Sequence, residues 1–260
     1  MNAAEILPLF DRQMRREAAP EDAGMRIERE GHLTRAVGPG HGPEDCCILW
    51  SGLSGRGADA QIAAERARAD RQARAIEWKV YGHDRPADLG ARLTAHGFAP
   101  DEPETLVCFD LSGPLPAPPA HRVRRIGAAD LHLLAEVKRK VSGEDASGHA
   151  AALARTMAEM PERLSVYLAA DSDGRPAAVG WLRKPPEVAF ASLWGGSTMP
   201  HLRGRGFYRA LVAARLTEAR AAGYAYALVE ARETSRPILE RIGFVPLTSV
   251  RGYIWTPERS

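Results

Sequence analysis

The stretch "PHLRGRGFYRAL", Pro200 to Leu211, places three arginines and two glycines between an apolar strand pattern and an amphipathic helix pattern. Glycines permit a tight backbone path that residues with a Cβ resist. The helix that follows points its free N–H groups back into that path. Backbone amides of a glycine-rich turn and a helix N-terminus together form a nest for an anion. The side chains of Arg203 and Arg205 add positive charge beside it. The competing reading is a surface loop that only turns the chain, and a lone "RGRG" is usually that. Here the strand before it and the helix after it favour the nest.

The elements that must position this loop are legible around it. "HRVRRI" reads as a strand, and Ala129 to Val141 as a helix opened by an Asp130 cap, with apolar residues at 131, 134, 137 and 141. A second helix covers Gly148 to Met160 and stops at Pro161. "LSVYLAAD" and "AAVGWLRK" read as strands joined by the turn "DSDGRP", and "VAFASLWGGST" as a longer strand running into the loop. The helix after the loop closes at Gly223, and "YAYALVEA", "SRPILERI", "GF" and "VRGYIWT" supply strand, helix, turn and strand.

This order of elements resembles the GCN5-related N-acetyltransferases. In that family the loop motif is Arg or Gln, two residues, Gly, one residue, then Gly or Ala; Arg203, Gly206 and Tyr208 fall on those positions, with Tyr208 where a small residue is usual. The resemblance covers residues 121–260. It also rests on the "TMP" that ends the preceding strand and on the later "GF". It implies a loop, Arg203 to Tyr208 with Gly204, Arg205 and Phe207, that holds the pyrophosphate of coenzyme A. It further implies a splayed strand on which Ser197, Thr198 and Met199 offer backbone groups to the pantetheine arm. The activity implied is that of an acyltransferase moving an acetyl group from acetyl-CoA to an amine of a small molecule or peptide.

Transfer to an amine needs a base that accepts a proton and a donor for the leaving thiolate. The family's donor, a Tyr four residues before the "GF" glycine, is replaced by Leu239. Ser235, one turn earlier, would order a water or simply cap its helix. Tyr208 and Tyr253 reach the site only if the fold turns them inward. Candidate bases are Glu187, His201 and Glu230. Glu230 ends an apolar strand where the cleft would open, so burial would raise its pKa. The plainer reading of Glu230 is a solvated strand end. Trp181 and Trp194 read as core or cleft wall.

The segment Leu111 to Arg122 holds four prolines, which makes it a stiff connector. It divides a degenerate copy of the same fold at residues 1–112 from an acetyltransferase domain at 122–260, with 113–121 as linker. The fold class expected is mixed α+β, as tandem domains, each a twisted, mostly antiparallel sheet flanked by helices. The first half repeats strand, helix, strand, helix, "GF", strand, and its loop "GLSGRGAD" lacks the leading Arg and carries Asp59 where a phosphate would bind. One cofactor per chain is therefore expected.

At 260 residues with 45% hydrophobic content, the chain has room for two cores of ordinary size. The halves differ in charge: 14 Lys and Arg against 19 Asp and Glu in residues 1–112, and 21 against 14 in residues 113–260. No run of about 18 uncharged apolar residues is present, and the charged start does not resemble a signal peptide. A cytoplasmic protein without membrane partner is expected. Cys46, Cys47 and Cys108 lack metal-ligand spacing and read as buried thiols, and no metal is expected. The arginines are spread along helices without a stacking run of aromatics, which argues against nucleic acid. A monomer or homodimer is expected, with the two halves packed so that the first helps to wall the acceptor site. A non-catalytic acyl-CoA sensor is the alternative that Leu239 keeps open.

Overall fold

The computed structural model describes residues 3–143 and 145–258. The first half contains α1 (Ala3–Phe10) continuing as a wider helical turn through Arg16, β1 (Arg26–Glu30), β2 (Leu33–Val37), β3 (Cys46–Ser51), α2 (Ala58–Arg71), β4 (Ile76–Tyr81), α3 (Leu89–Ala95), β5 (Ala99–Pro100) and β6 (Glu104–Asp110). The second contains β7 (Arg122–Ile126), α4 (Leu131–Ser142), α5 (Ser147–Glu159), β8 (Leu164–Ala170), β9 (Pro176–Arg183), β10 (Phe190–Thr198), α6 (Phe207–Ala221), β11 (Tyr226–Arg232), α7 (Arg236–Ile242) and β12 (Val245–Trp255).

The sequence pattern places the elements of the second half within a few residues of their observed bounds. It does not reveal α1 or the β1–β2 hairpin. The hairpin strand β1 reads "RIERE", too polar to stand out, and gains its place only by pairing with the buried β2. Asp130 does not cap α4. Its carboxylate instead accepts a hydrogen bond from Arg124 Nη1 at 2.7 Å.

The strands form one mixed, mostly antiparallel sheet in the order β1-β2-β3-β4-β12-β6-β11-β10-β9-β8-β7, with β5 on the side of β12. The proline connector does not separate two sheets. The last strand of each half lies within the other: β12 sits between β4 and β6, and β6 sits between β12 and β11. Neither strand finds this place from local sequence, because both pairings are long-range.

Helices cover both faces. Helices α2 and α3 pack Ile62, Leu89 and Leu93 on Ile48, Trp78 and Phe98, and α6 and α7 pack Leu216 and Leu239 on Val107 and Leu193. On the opposite face, α1 covers Tyr81, Leu106, Cys108, Phe190, Leu228 and Val250, while α4 and α5 lay Leu134, Val137 and Leu153 over Val166 and Trp181. All three cysteines are buried free thiols, as expected from their apolar surroundings. No helix among the described residues is long and apolar enough to cross a membrane.

Candidate active site

The loop has the geometry of a nest. Gly204 and Gly206 take φ of +76° and +91°, a left-handed backbone that glycine adopts without strain. Gly206 caps the 15-residue helix α6. Among the described residues, the amides of Gly204 through Arg209 donate to no acceptor, although Ala210 N–H already bonds Gly206 O at 3.0 Å. Six consecutive free amides at a helix N-terminus suit a phosphate. Arg203, Arg205 and His201 are exposed around them. The connector closes over the loop: His121 lies 2.7 Å from Arg205 O through Nε2 and stacks on Phe207 at 4.0 Å.

The strand that feeds the loop is open along one edge. β10 and β11 run parallel and pair only from Phe190 to Ser192 against Tyr226 to Leu228, after which they part. On its other edge β10 pairs with β9, with a bulge between Trp194 and Ser197. Gly195 makes the bulge possible: at φ +61°, any Cβ there would stand 1.7 Å from the Trp181 ring. From α6, buried Arg215 reaches the bulge and donates from Nη1 to Trp194 O at 3.1 Å and Trp181 O at 3.3 Å. Burial brings the Arg215 guanidinium down to about 10.

The free edge of β10 thus leads from the nest into the sheet, and it offers the backbone of Thr198, whose carbonyl lies 3.4 Å from Arg203 Nε; Ser197, opposite Val179, turns its backbone groups toward β9. Met199 offers none either, because its N–H bonds Ala177 O and its carbonyl accepts from Leu202 N–H, each at 2.9 Å. Tyr208, which stands where the family has a small residue, leaves the phosphate nest clear. Its ring turns inward over Gly196, where an added Cβ would be 2.5 Å away, and burial pushes its phenol up.

At the point where β10 and β11 part lies a cluster built from both halves. Glu230 Oε1 accepts the Tyr81 hydroxyl at 2.5 Å, and Oε2 is bound by Lys79. Lys79 Nζ stands 5.3 Å from the Trp194 ring centroid. Burial acts to raise Glu230, but the Lys79 charge and the hydrogen bonds from Lys79 and Tyr81 outweigh it and hold the carboxyl below its ordinary range. This reverses the expectation of a raised pKa. Lys79 is held well above its own usual value, because the charges of Glu230 and Glu77 overcome burial.

Farther along the same face, Arg183 Nη1 bonds Asp22 Oδ2 at 2.5 Å. His149 of α5 lies 4.8 Å from the Trp181 ring, and burial with the Lys138 and Arg183 charges lowers it to about 4. The indole N–H of Trp181 and the Arg183 Nε are buried without a partner among the described residues.

The other candidates lie elsewhere. Glu187 is exposed in the β9–β10 turn, at the end of β10 opposite the nest, and is not a base for this site. Ser235 spends its hydroxyl on Arg232 O at 3.1 Å and makes no cap bond. Leu239 of α7 is fully buried against the sheet. Tyr253 packs on the α2–α3 face, away from Glu230. Lys79, Tyr81 and Asp22 were invisible as site residues in the sequence. Alternation within the apolar strand β4 is the one signal for Lys79 and Tyr81, and Asp22 has none.

The first half has a related geometry without a nest. β3 and β4 also run parallel and pair only at Cys47–Ile48 with Glu77–Trp78. None of Gly52, Gly55 and Gly57 takes a left-handed φ, and the amides of Gly57 and Ala58 both donate to Ser54 O at 3.1 Å. The opening between the strands is filled by Arg15, which donates from Nε to Leu49 O at 2.9 Å, pairs with Asp84 at 2.7 Å and lies over the Tyr81 ring. Asp59 is engaged by Arg92 and His96.

Residues 130–244 match the model of the acetyltransferase (GNAT) family. The fold is that of the GNAT acetyltransferases. Among solved structures, a GCN5-related N-acetyltransferase from Kribbella flavida superposes with a TM-score of 0.69 at 15% identity, covering 99% of this chain and 95% of that one. A tandem GNAT protein from the clavulanic acid biosynthesis pathway gives 0.62 at 18% identity over 94% and 86%. A GCN5-related N-acetyltransferase from Sphaerobacter thermophilus gives 0.58 at 13% over 98% and 85%. No curated protein matches the sequence. At these identities the likeness is one of fold.

Proposed function

We propose that the chain is an acetyl-CoA-dependent N-acetyltransferase with one cofactor site, and that the acceptor is an amine of a small molecule or peptide. The observation that carries this reading is the row of unpaired amides from Gly204 to Arg209, continuous with the open edge of β10. Phosphates on that nest would thread the pantetheine arm past Thr198 toward Trp194 and Glu230. When bound, acetyl-CoA supplies the activated acyl group. The chain's own residues would bind the acceptor amine, hold it against the thioester and take up its proton.

The two halves are read as tandem copies of one fold, of which the first has lost its cofactor. The spent amides around Ser54 and the Arg15 side chain that fills the β3–β4 opening support this. The acceptor cleft is read as shared, since Lys79, Tyr81 and Asp22 come from the first half and Glu230, Arg183 and Trp194 from the second. A chain with an internal partner of this kind works as a monomer.

A non-catalytic acyl-CoA sensor is the second reading, favoured by the fully buried Leu239 where a phenol donor would stand. Calorimetry with acetyl-CoA, followed by thiol release across primary amines, amino acids and peptides, separates the two. One acetyl-CoA bound per chain with amine-dependent thiol release is expected. Binding without release across the panel would favour the sensor, and two equivalent sites would defeat the reading of the first half.

A further inference from the structure

We infer that Glu104, contributed by the first half on the strand exchanged into the middle of the sheet, accepts the proton of the acceptor amine. The inference rests on the acetyltransferase reading. Glu230 is placed near the opening, but both its oxygens are occupied by Tyr81 and Lys79. A carboxylate so held is a weak base. Across the β6–β11 ladder Glu230 faces Leu106, and Arg232 faces Glu104. Glu104 is therefore the diagonal neighbour of Glu230 on the same sheet face, within reach of one water. Its carboxylate accepts no hydrogen bond among the described residues, and its nearest cation, Arg232 Nε, is 3.6 Å away.

The charged groups around Glu104 are Glu77 and Lys79 of β4, Glu230 and Arg232 of β11, and Asp101 and Glu102 in the segment before β6. β12 presents Val250 opposite it in the ladder and Gly252 two residues on, over which the Glu77 side chain lies. Burial and the Glu230 charge raise Glu104 to about 7, the range in which a carboxylate is ionised at neutral pH and still basic. Glu230 then acts as a positioning residue whose fixed negative charge tunes its neighbour.

In the step itself, the arriving ammonium gives one proton to the Glu104 carboxylate, directly or through one water. The freed nitrogen lone pair forms the C–N bond to the thioester carbon while the C–S bond breaks. The nitrogen's second proton goes to the leaving thiolate, which departs as the thiol, and Glu104 returns its proton to solvent.

The test uses the full chain and Glu104→Gln, which keeps the side-chain volume. Acetyl-CoA affinity by calorimetry should be unchanged. Thiol release with the best amine from a panel of alkyl diamines, amino sugars and basic peptides should fall about a hundredfold or more. The acid limb of kcat/KM near pH 7 should disappear. A titration of 13C-labelled glutamate carboxyls by NMR gives a readout free of turnover: one carboxyl with a midpoint near 7 should be missing from Glu104→Gln. Glu104→Asp should keep the limb at a lowered rate. If Glu104→Gln retains both its turnover and the limb, the role of Glu104 is overturned and the acetyltransferase reading stands. If the natural chain binds acetyl-CoA and releases no thiol with any amine of the panel, the acetyltransferase reading falls, and this role with it.

Discussion

Lys79 and Glu230 lie 151 residues apart in the chain and meet as a largely buried pair, their side chains 15% and 12% exposed. Removing one partner of such a pair strands the other charge. Lys79→Met should cost about 3 kcal/mol or more at neutral pH, measured by urea unfolding. The folded-state pKa of Glu230 is depressed, so the stability it contributes is present above its unfolded value and is lost as pH falls through the folded one. The difference between Lys79→Met and the natural chain should therefore shrink on acidification. Glu104 runs the opposite way. Its folded pKa is raised, so the folded state loses stability as pH rises from the ordinary carboxyl value to about 7. Glu104→Gln should raise the melting temperature at pH 8 and leave it little changed at pH 4. In the nest, Gly206→Asp places a Cβ at φ +91° and a negative charge beside the free amides. Acetyl-CoA affinity should fall at least tenfold by calorimetry, which corresponds to about 1.4 kcal/mol. Unchanged affinity would remove the nest from the cofactor site.

At the scale of elements, the opening between β10 and β11 depends on groups that hold the bulge from behind. Arg215 of α6 satisfies two strand carbonyls at the bulge, and Gly195 gives room to the Trp181 ring. Arg215→Leu leaves those carbonyls buried and unpaired. A loss of about 1–3 kcal/mol in unfolding free energy is expected, together with weaker acetyl-CoA binding, since the strand edge proposed to line the pantetheine arm would relax. The connector has a structural role beyond spacing. Its last residue, His121, stacks on Phe207 and contacts Arg205 O, so the end of the proline segment braces the first turn of α6.

For the whole molecule, the exchange of β6 and β12 decides what can be cut. Without residues 1–112, β11 loses its neighbour β6 and β12 loses partners on both sides. The fragment 121–260 should fail to give a cooperative melt by circular dichroism and should expose long unpaired strand edges to aggregation. Coexpression with residues 1–112 should restore a soluble complex. A fragment that folds alone, binds acetyl-CoA and acetylates the same acceptor as well as the full chain would mean that the first half contributes nothing to the site.

The sequence by itself determined the elements of the second half and the nest, because these rest on local signals: periodic apolar positions, two glycines before a helix, prolines that no helix or inner strand accepts. "RGRGFY" named the amides that turn out to be free. It also marked Glu230, since a carboxylate ending an apolar strand is conspicuous. What only the tertiary structure decided depends on pairing across long chain separations. The partners of Glu230 come from β4, and nothing local to "IEWKVY" says that Lys79 and Tyr81 face a strand 150 residues later. Glu104 looks like one more surface acid until β6 is inserted beside β11. Glu187 looks like a candidate until the sheet puts it at the wrong end of β10. Two separate sheets were expected because a proline connector breaks local structure, but backbone hydrogen bonds between strands ignore that boundary, and the exchange buries both terminal strands in a single sheet.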